Sequence, residues 1–180
     1  MKEEGKIYLI PVGDVEKEIL DYLAAKILCV FPYHVQIKEA LSKPHYAYNK
    51  RRNQYCADLI LKKLKQENLE KENKILGIID LDAYTPSLNF VFGEASLDGK
   101  VALIALPRLS QKFYRLLENN ELYYERAVKE AVHELGHTFG MNHCKNPRCV
   151  MHFSNSLSDT NFKKKEFCKD CRKNFPFRLL

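Results

Sequence analysis

No apolar stretch in this chain approaches the roughly 18 to 20 residues that cross a bilayer, so no membrane partner is expected. Nor does the N-terminus read as an export signal. Lys2 and Lys6 flank Glu3 and Glu4, and the short apolar stretch that follows lacks a small-residue cleavage site. A cytoplasmic location is therefore expected, and in that reducing compartment six cysteines are more plausibly free or metal-bound than paired. No propeptide with a blocking cysteine, no internal repeat and no low-complexity tract is visible. The net charge of +6 is spread over short groups such as Lys50, Arg51 and Arg52, or Lys163 to Lys165. Without an aromatic-interleaved motif such groups read as solvated faces, so no nucleic-acid partner is expected.

What is present suits one globular domain. A chain of 180 residues, 46% apolar and 29% charged, can bury about 70% of the surface it exposes when unfolded. Lys6 to Val12 reads as a buried strand. After Gly13 and Asp14, the residues Val15, Ile19, Leu23, Ile27 and Val30 recur at helical spacing. A short strand follows near Val35 to Glu39, and Tyr55, Leu59 and Leu64 suggest a second amphipathic helix before the charged stretch Gln66 to Lys74. Ile75 to Leu81 is a continuous apolar run that suits a central strand. Asn89 to Ala95 and Val101 to Leu106 read as two more strands, joined by a turn around Asp98 and Gly99. Strands alternating with helices imply an α/β sheet.

From Glu121 the period changes. Leu122, Val128, Val132, Leu135 and Phe139 form a helical stripe that stops at Gly140, a residue suited to the left-handed position after a helix. Beyond it lies a cysteine-bearing tail with little periodicity. On this last helix His133 and His137 are four residues apart, so both imidazoles leave one face and can share a metal. Glu134 sits beside them, free to hold a water. A catalytic zinc keeps three protein ligands and leaves the fourth position for water or substrate, whereas a structural zinc fills all four. After Gly140, Met141 and Asn142 carry the chain round to His143, the candidate third ligand, with His152 as an alternative. With 7 Gly and 6 His in the chain, meeting both Gly140 and His143 by chance after an HExxH has odds of about 1 in 770.

The run HELGHTFGMNH, from His133 to His143, resembles the metzincin signature HExxHxxGxxH, which in that clan precedes a methionine turn beneath the metal. Met151 supplies that methionine. Cys144 directly follows His143, Cys149 lies two residues before Met151, and Cys168 and Cys171 form a CxxC; this is similar to the pattern of the archaemetzincins. The specific match runs from His133 to Cys171. A less distinctive lead-in covers Val101 to Leu109 with Phe113 and Tyr114.

The resemblance implies a zinc metallopeptidase that hydrolyses peptide bonds in a peptide or protein substrate, with His133, His137 and His143 on a catalytic zinc and Glu134 as general base. It implies a second, structural zinc on Cys144, Cys149, Cys168 and Cys171, hence two ions per chain, with Cys29 and Cys56 left as semi-buried thiols. Disulfides are the alternative for the four. The implied fold is a twisted mixed sheet with an antiparallel edge strand, packed on helices that include the active-site helix. Residues 1–140 would form an N-terminal subdomain, and residues 141–180 a small C-terminal one stapled by zinc and otherwise short of core. Substrate would lie extended along the edge strand, for which Asn89, Phe90, Val91, Phe92 and Gly93 are the candidates. Where some metzincins have a tyrosine two residues after the turn methionine, this chain has Phe153, so that assistance is missing. A monomer is expected. Two other functions fit parts of the pattern: a zinc-dependent amidase or deacylase, and a non-catalytic zinc-ribbon binding module.

Overall fold

The apolar runs become strands wherever both of their faces are covered. The computed structural model describes residues 5–67, 70, 73–96 and 99–179. In chain order its elements are β1 (Lys6–Pro11), α1 (Lys17–Leu28), β2 (His34–Ile37), β3 (Tyr48–Asn49), β4 (Gln54–Cys56), α2 (Ala57–Leu64), β5 (Lys74–Ile79), β6 (Ala83–Tyr84), β7 (Gly93–Ala95), β8 (Val101–Ala105), α3 (Asn120–Thr138), α4 (Leu157–Phe162) and α5 (Lys169–Lys173). The main sheet has the order β2-β1-β5-β8-β7. Its pairs are parallel except β7, which runs antiparallel to β8 with Gly93 opposite Ile104. The chain thus has the mixed sheet and antiparallel edge strand that its motifs implied. A small second sheet, β3-β4-β6, sits to the side.

Alternation along each strand divides the core in two. Ile7, Leu9, Leu76, Ile78, Ala102 and Ile104 pack against the buried stripes of α1 and α3. Tyr8, Ile10, Ile75, Ile79, Val101 and Leu103 pack against α2. β5 at the centre is covered on both sides. There Gly77 leaves room for α2, since a Cβ at that position would lie 2.5 Å from the Leu64 Cδ1 atom.

Several expectations need adjustment. The buried face of α2 is Ala57, Ile60, Leu61 and Leu64; Tyr55 belongs to β4, and Leu59 is 43% exposed, because the helix starts only at Ala57. The edge strand is shorter than Asn89 to Ala95. Residues 89–91 leave its ladder: the Val91 N–H donates to the Ala83 carbonyl in the second sheet, at 3.0 Å. Of the expected turn, Asp98 lies outside the described residues, while Gly99 takes φ +71° and donates its N–H to the Ser96 carbonyl. The tail is not short of core, because Val150, Met151, Phe167, Phe175 and Leu179 join the same cluster as α1 and α3. Phe31 gathers Phe139, Phe167 and Phe175 with ring centroids 5.3–6.1 Å away. Cys29 is exposed rather than semi-buried. Among the described residues no helix is long and apolar enough to cross a membrane.

Candidate metal centres and cleft

The helix α3 carries its histidines deep into the molecule. The Asn119 side chain caps its start by accepting the Leu122 N–H at 3.0 Å, and Gly140, at φ +85°, lets the chain reverse after its end. The reversal is held by the Met141 N–H donating to the Gly136 carbonyl at 3.1 Å. His133 and His137, one turn apart, bring their Nε2 atoms to 3.1 Å. Each ring turns its Nδ1 towards a carbonyl oxygen, His133 to Val150 at 2.8 Å and His137 to Met141 at 2.7 Å. A proton on Nδ1 is donated there, which fixes the tautomer and leaves both Nε2 lone pairs facing one point. After the reversal, the His143 ring lies 5.3 Å from that of His133 and 4.8 Å from that of His137, centroid to centroid.

One ligand atom from each of the three rings lies within 4.8 Å of the others. A tetrahedral zinc with bonds of 2.0–2.1 Å needs nitrogens about 3.3 Å apart, so the His133–His137 spacing fits that metal. Burial, and after it the charge of Lys163, lowers the His133 pKa well below the ordinary imidazole value; burial also lowers those of His137 and His143. Neutral imidazoles are the form that binds metal. His152 is not part of this convergence, which joins His133, His137 and His143; its Nδ1 faces the Cys144 carbonyl oxygen at 2.9 Å.

Glu134 is 5% exposed and lies against the start of β7. A Cβ on Gly93 would stand 2.5 Å from its Cγ and 2.6 Å from its Oε1, so only glycine lets the strand pass this close. Strand and helix together wall a cleft of about 570 Å³, whose lining includes Glu134 and the three histidines. All five candidate substrate residues, Asn89 to Gly93, line it too, although only Gly93 belongs to the strand. Burial raises the Glu134 pKa well above the carboxylate range, Glu130 and Glu94 add to this, and Lys163 opposes it. A dication held by the histidines would act in the same sense as Lys163.

Below the histidines, Met151 is fully buried, and its sulfur would lie 2.5 Å from a Cβ on Gly136. Phe153 packs on His143 with centroids 5.0 Å apart. One buried feature escaped the sequence reading. Lys163 pairs with Glu130 at 3.0 Å, with 0% and 3% of the two side chains exposed. Thr160 also donates to Glu130 at 3.2 Å, and the Lys163 amine donates to the His152 carbonyl at 3.3 Å. Glu130 could have been found, since it precedes Glu134 by four on the same helix face. Lys163 gave no signal, being one of three consecutive lysines.

The four tail cysteines form a second cluster. The sulfur atoms of Cys144 and Cys168 are 3.8 Å apart, those of Cys149 and Cys171 3.6 Å, and all four lie within 4.8 Å of one another. A disulfide needs about 2.05 Å, whereas zinc–sulfur bonds near 2.3 Å set a tetrahedral edge of about 3.8 Å. The donor set therefore fits a tetrathiolate zinc. Burial raises the pKa of Cys149 and Cys171. The Cys168 thiol is also raised by burial, but hydrogen bonds from the Cys171 N–H and the neighbouring thiols outweigh this and bring it down to about 7.

Comparison with known proteins agrees with this geometry. The model of peptidase family M54 matches residues 12–176. An archaemetzincin of Methanocaldococcus jannaschii is 46% identical over 173 residues, covering 96% of this chain and 94% of that protein. One from Pyrococcus furiosus is 40% identical, with 96% and 93% covered. Among solved structures, the archaemetzincin of Methanopyrus kandleri superposes with a TM-score of 0.81 at 37% identity, covering 94% of this chain and 92% of that one. The Archaeoglobus fulgidus archaemetzincin, crystallised with malonate, gives 0.81 at 38% identity, with 93% and 98% covered.

Proposed function

The chain belongs to peptidase family M54, the archaemetzincins, and on that premise we propose that it hydrolyses peptide bonds with Glu134 as general base and one zinc on His133, His137 and His143. The observation that carries this reading is the position of Glu134, beside three converging imidazoles and against the edge strand, in an open cleft. Zinc bound there supplies Lewis-acid polarisation and makes water a nucleophile near neutral pH. The chain's residues do the rest. Glu134 takes the proton of the attacking water and hands it to the departing amine. The outer edge of β7 offers an extended peptide its free backbone groups, adding the substrate as one more antiparallel strand. The carbonyls of Val150 and Met141 keep two imidazoles aimed while this happens.

A second zinc on Cys144, Cys149, Cys168 and Cys171 brings the count to two ions per chain and holds the tail that delivers His143. A zinc-ribbon role alone would leave the histidine trio, Glu134 and the cleft without use.

Substituting Glu134→Ala tests the reading. Metal analysis should still find two zincs per chain, while cleavage of a peptide library falls about 10² to 10⁴-fold. Hydrolysis at the wild-type rate in that variant would refute the role of Glu134.

A further inference from the structure

The segment just before β7 has spent its backbone groups elsewhere. The Asn89 carbonyl accepts from both Gln54 and Arg52 at 3.0 Å and the Val91 N–H is held by Ala83, whereas the Phe92 carbonyl still faces β8, accepting the Ala105 N–H at 2.8 Å. A peptide that pairs with β7 therefore meets side chains, not a continued ladder, once it passes Gly93. Foremost among them is Phe90, which lines the cleft beside Leu88, itself 39% exposed.

The Phe90 ring is fixed from behind. The Arg108 guanidinium carbon lies 4.5 Å from its ring centroid and 4.7 Å from that of Phe113. Asp82 grips the same guanidinium at two points, Nε to Oδ1 at 2.5 Å and Nη2 to Oδ2 at 2.8 Å. This bidentate pair sets the plane of the guanidinium and neutralises its charge. What reaches the cleft is an aromatic wall, not a cation.

Direction follows from strand polarity. β7 runs from Gly93 to Ala95, so an antiparallel peptide sends its C-terminal half towards Phe92 and Leu88. Glu134 beside Gly93 marks the level of the scissile bond. Phe90, three residues before Gly93 in the chain, lines the cleft on that side, where the residues after the cut would lie. We infer that Phe90 is a specificity-determining wall that selects substrates with an apolar side chain at a position after the scissile bond, and that Arg108 is the positioning residue that holds it. This inference rests on the peptidase reading above.

The zinc-loaded full chain, given a randomised peptide library with cut sites mapped by mass spectrometry, should enrich Leu, Phe and Met over Gly and Asp about tenfold at one position after the cut. Phe90→Ala and Arg108→Ala should each flatten the profile there and leave preferences before the cut in place, and Phe90→Leu should restore it. A merely structural Arg108 would lower all cleavage evenly. Binding of fluorescent peptides to the Glu134→Ala variant gives a readout without turnover. Apolar-selective binding that Phe90→Ala abolishes, in a chain whose Glu134 form cleaves nothing, would support the wall and overturn the peptidase reading alone. Cleavage with a flat profile after the cut, or with acidic residues enriched there, would overturn the wall. No cleavage and no selective binding would overturn both.

Discussion

One peptide bond separates His143 from Cys144, yet the residues on either side belong to clusters built in opposite ways. Two of the three histidines come from a 19-residue helix packed on the central sheet, and their rings are aimed by carbonyls before any ion arrives. The four cysteines come from loops and the start of the five-residue α5. The first cluster leaves a vertex facing a cleft; the second has a sulfur for every vertex. A preformed, open site can spend its metal on chemistry, whereas a closed site drawn from short elements spends it on order.

The sharpest way to break that contrast is to remove one ligand from each. Cys171→Ser should release one zinc and loosen residues 141–179, read as lost protection from hydrogen exchange. The energy at stake is on the order of 10 kcal/mol, the apparent affinity of structural zinc sites. His143→Ala should also release one zinc but leave the protection of α3 intact, since buried apolar contacts hold that helix. Equal unfolding in both variants would show that the histidine site is no more preformed than the cysteine site.

A smaller effect tests how much an ion pair adds to the tail's apolar packing on α3. Lys163 and Glu130 are a buried ion pair across that junction. Lys163→Met should cost about 3–5 kcal/mol by leaving the carboxylate unpaired, and the double variant with Glu130→Gln should recover much of it. Chemical denaturation with both metals bound would measure the difference; a neutral Lys163→Met would mean the pair contributes nothing to the junction. Smaller again is Gly136→Ala, where the added methyl meets the Met151 sulfur. Overpacking of this kind costs about 1–3 kcal/mol, and Met151→Ala in the same chain should relieve part of it.

How legible these regions were differs for a physical reason. The helix α3, the central strand β5 and the ligand residues were readable because period and spacing are local properties of a chain. The histidine trio was suggested by its spacing and the cysteine set by the resemblance to the archaemetzincins, and the fold brings each set together. The shortening of β7 was not readable: Asn89 to Val91 have strand-like side chains, but the Val91 N–H finds its partner in a second sheet built from elements of two or three residues. Nor was the tail's share in the core, since Phe167 and Phe175 show no periodicity and acquire partners only through Phe31, more than a hundred residues away in sequence. The Asp82–Arg108–Phe90 assembly is of the same kind, joining two loops and the 3-10 turn Pro107–Leu109, which no local pattern connects.

The smallest effect concerns the open site alone. Burial, with Asp58 nearby, raises the Glu94 pKa above the ordinary carboxylate value. A carboxyl whose pKa is higher folded than unfolded favours the native state only while protonated. As pH rises above about 4.5 the unfolded chain ionises first, and stability is lost until the folded group ionises too. Glu94→Gln should therefore be slightly more stable than the parent at neutral pH, and the gap should close as pH falls towards 4.5, in paired urea titrations. Because Glu94 also raises the Glu134 pKa, the gain should be larger in metal-free protein, where no dication opposes that repulsion. The cysteine site holds no carboxylate, so Cys171→Ser and Glu94→Gln should add independently. Coupling between them would mean that the two clusters, adjacent in sequence, also share one electrostatic field.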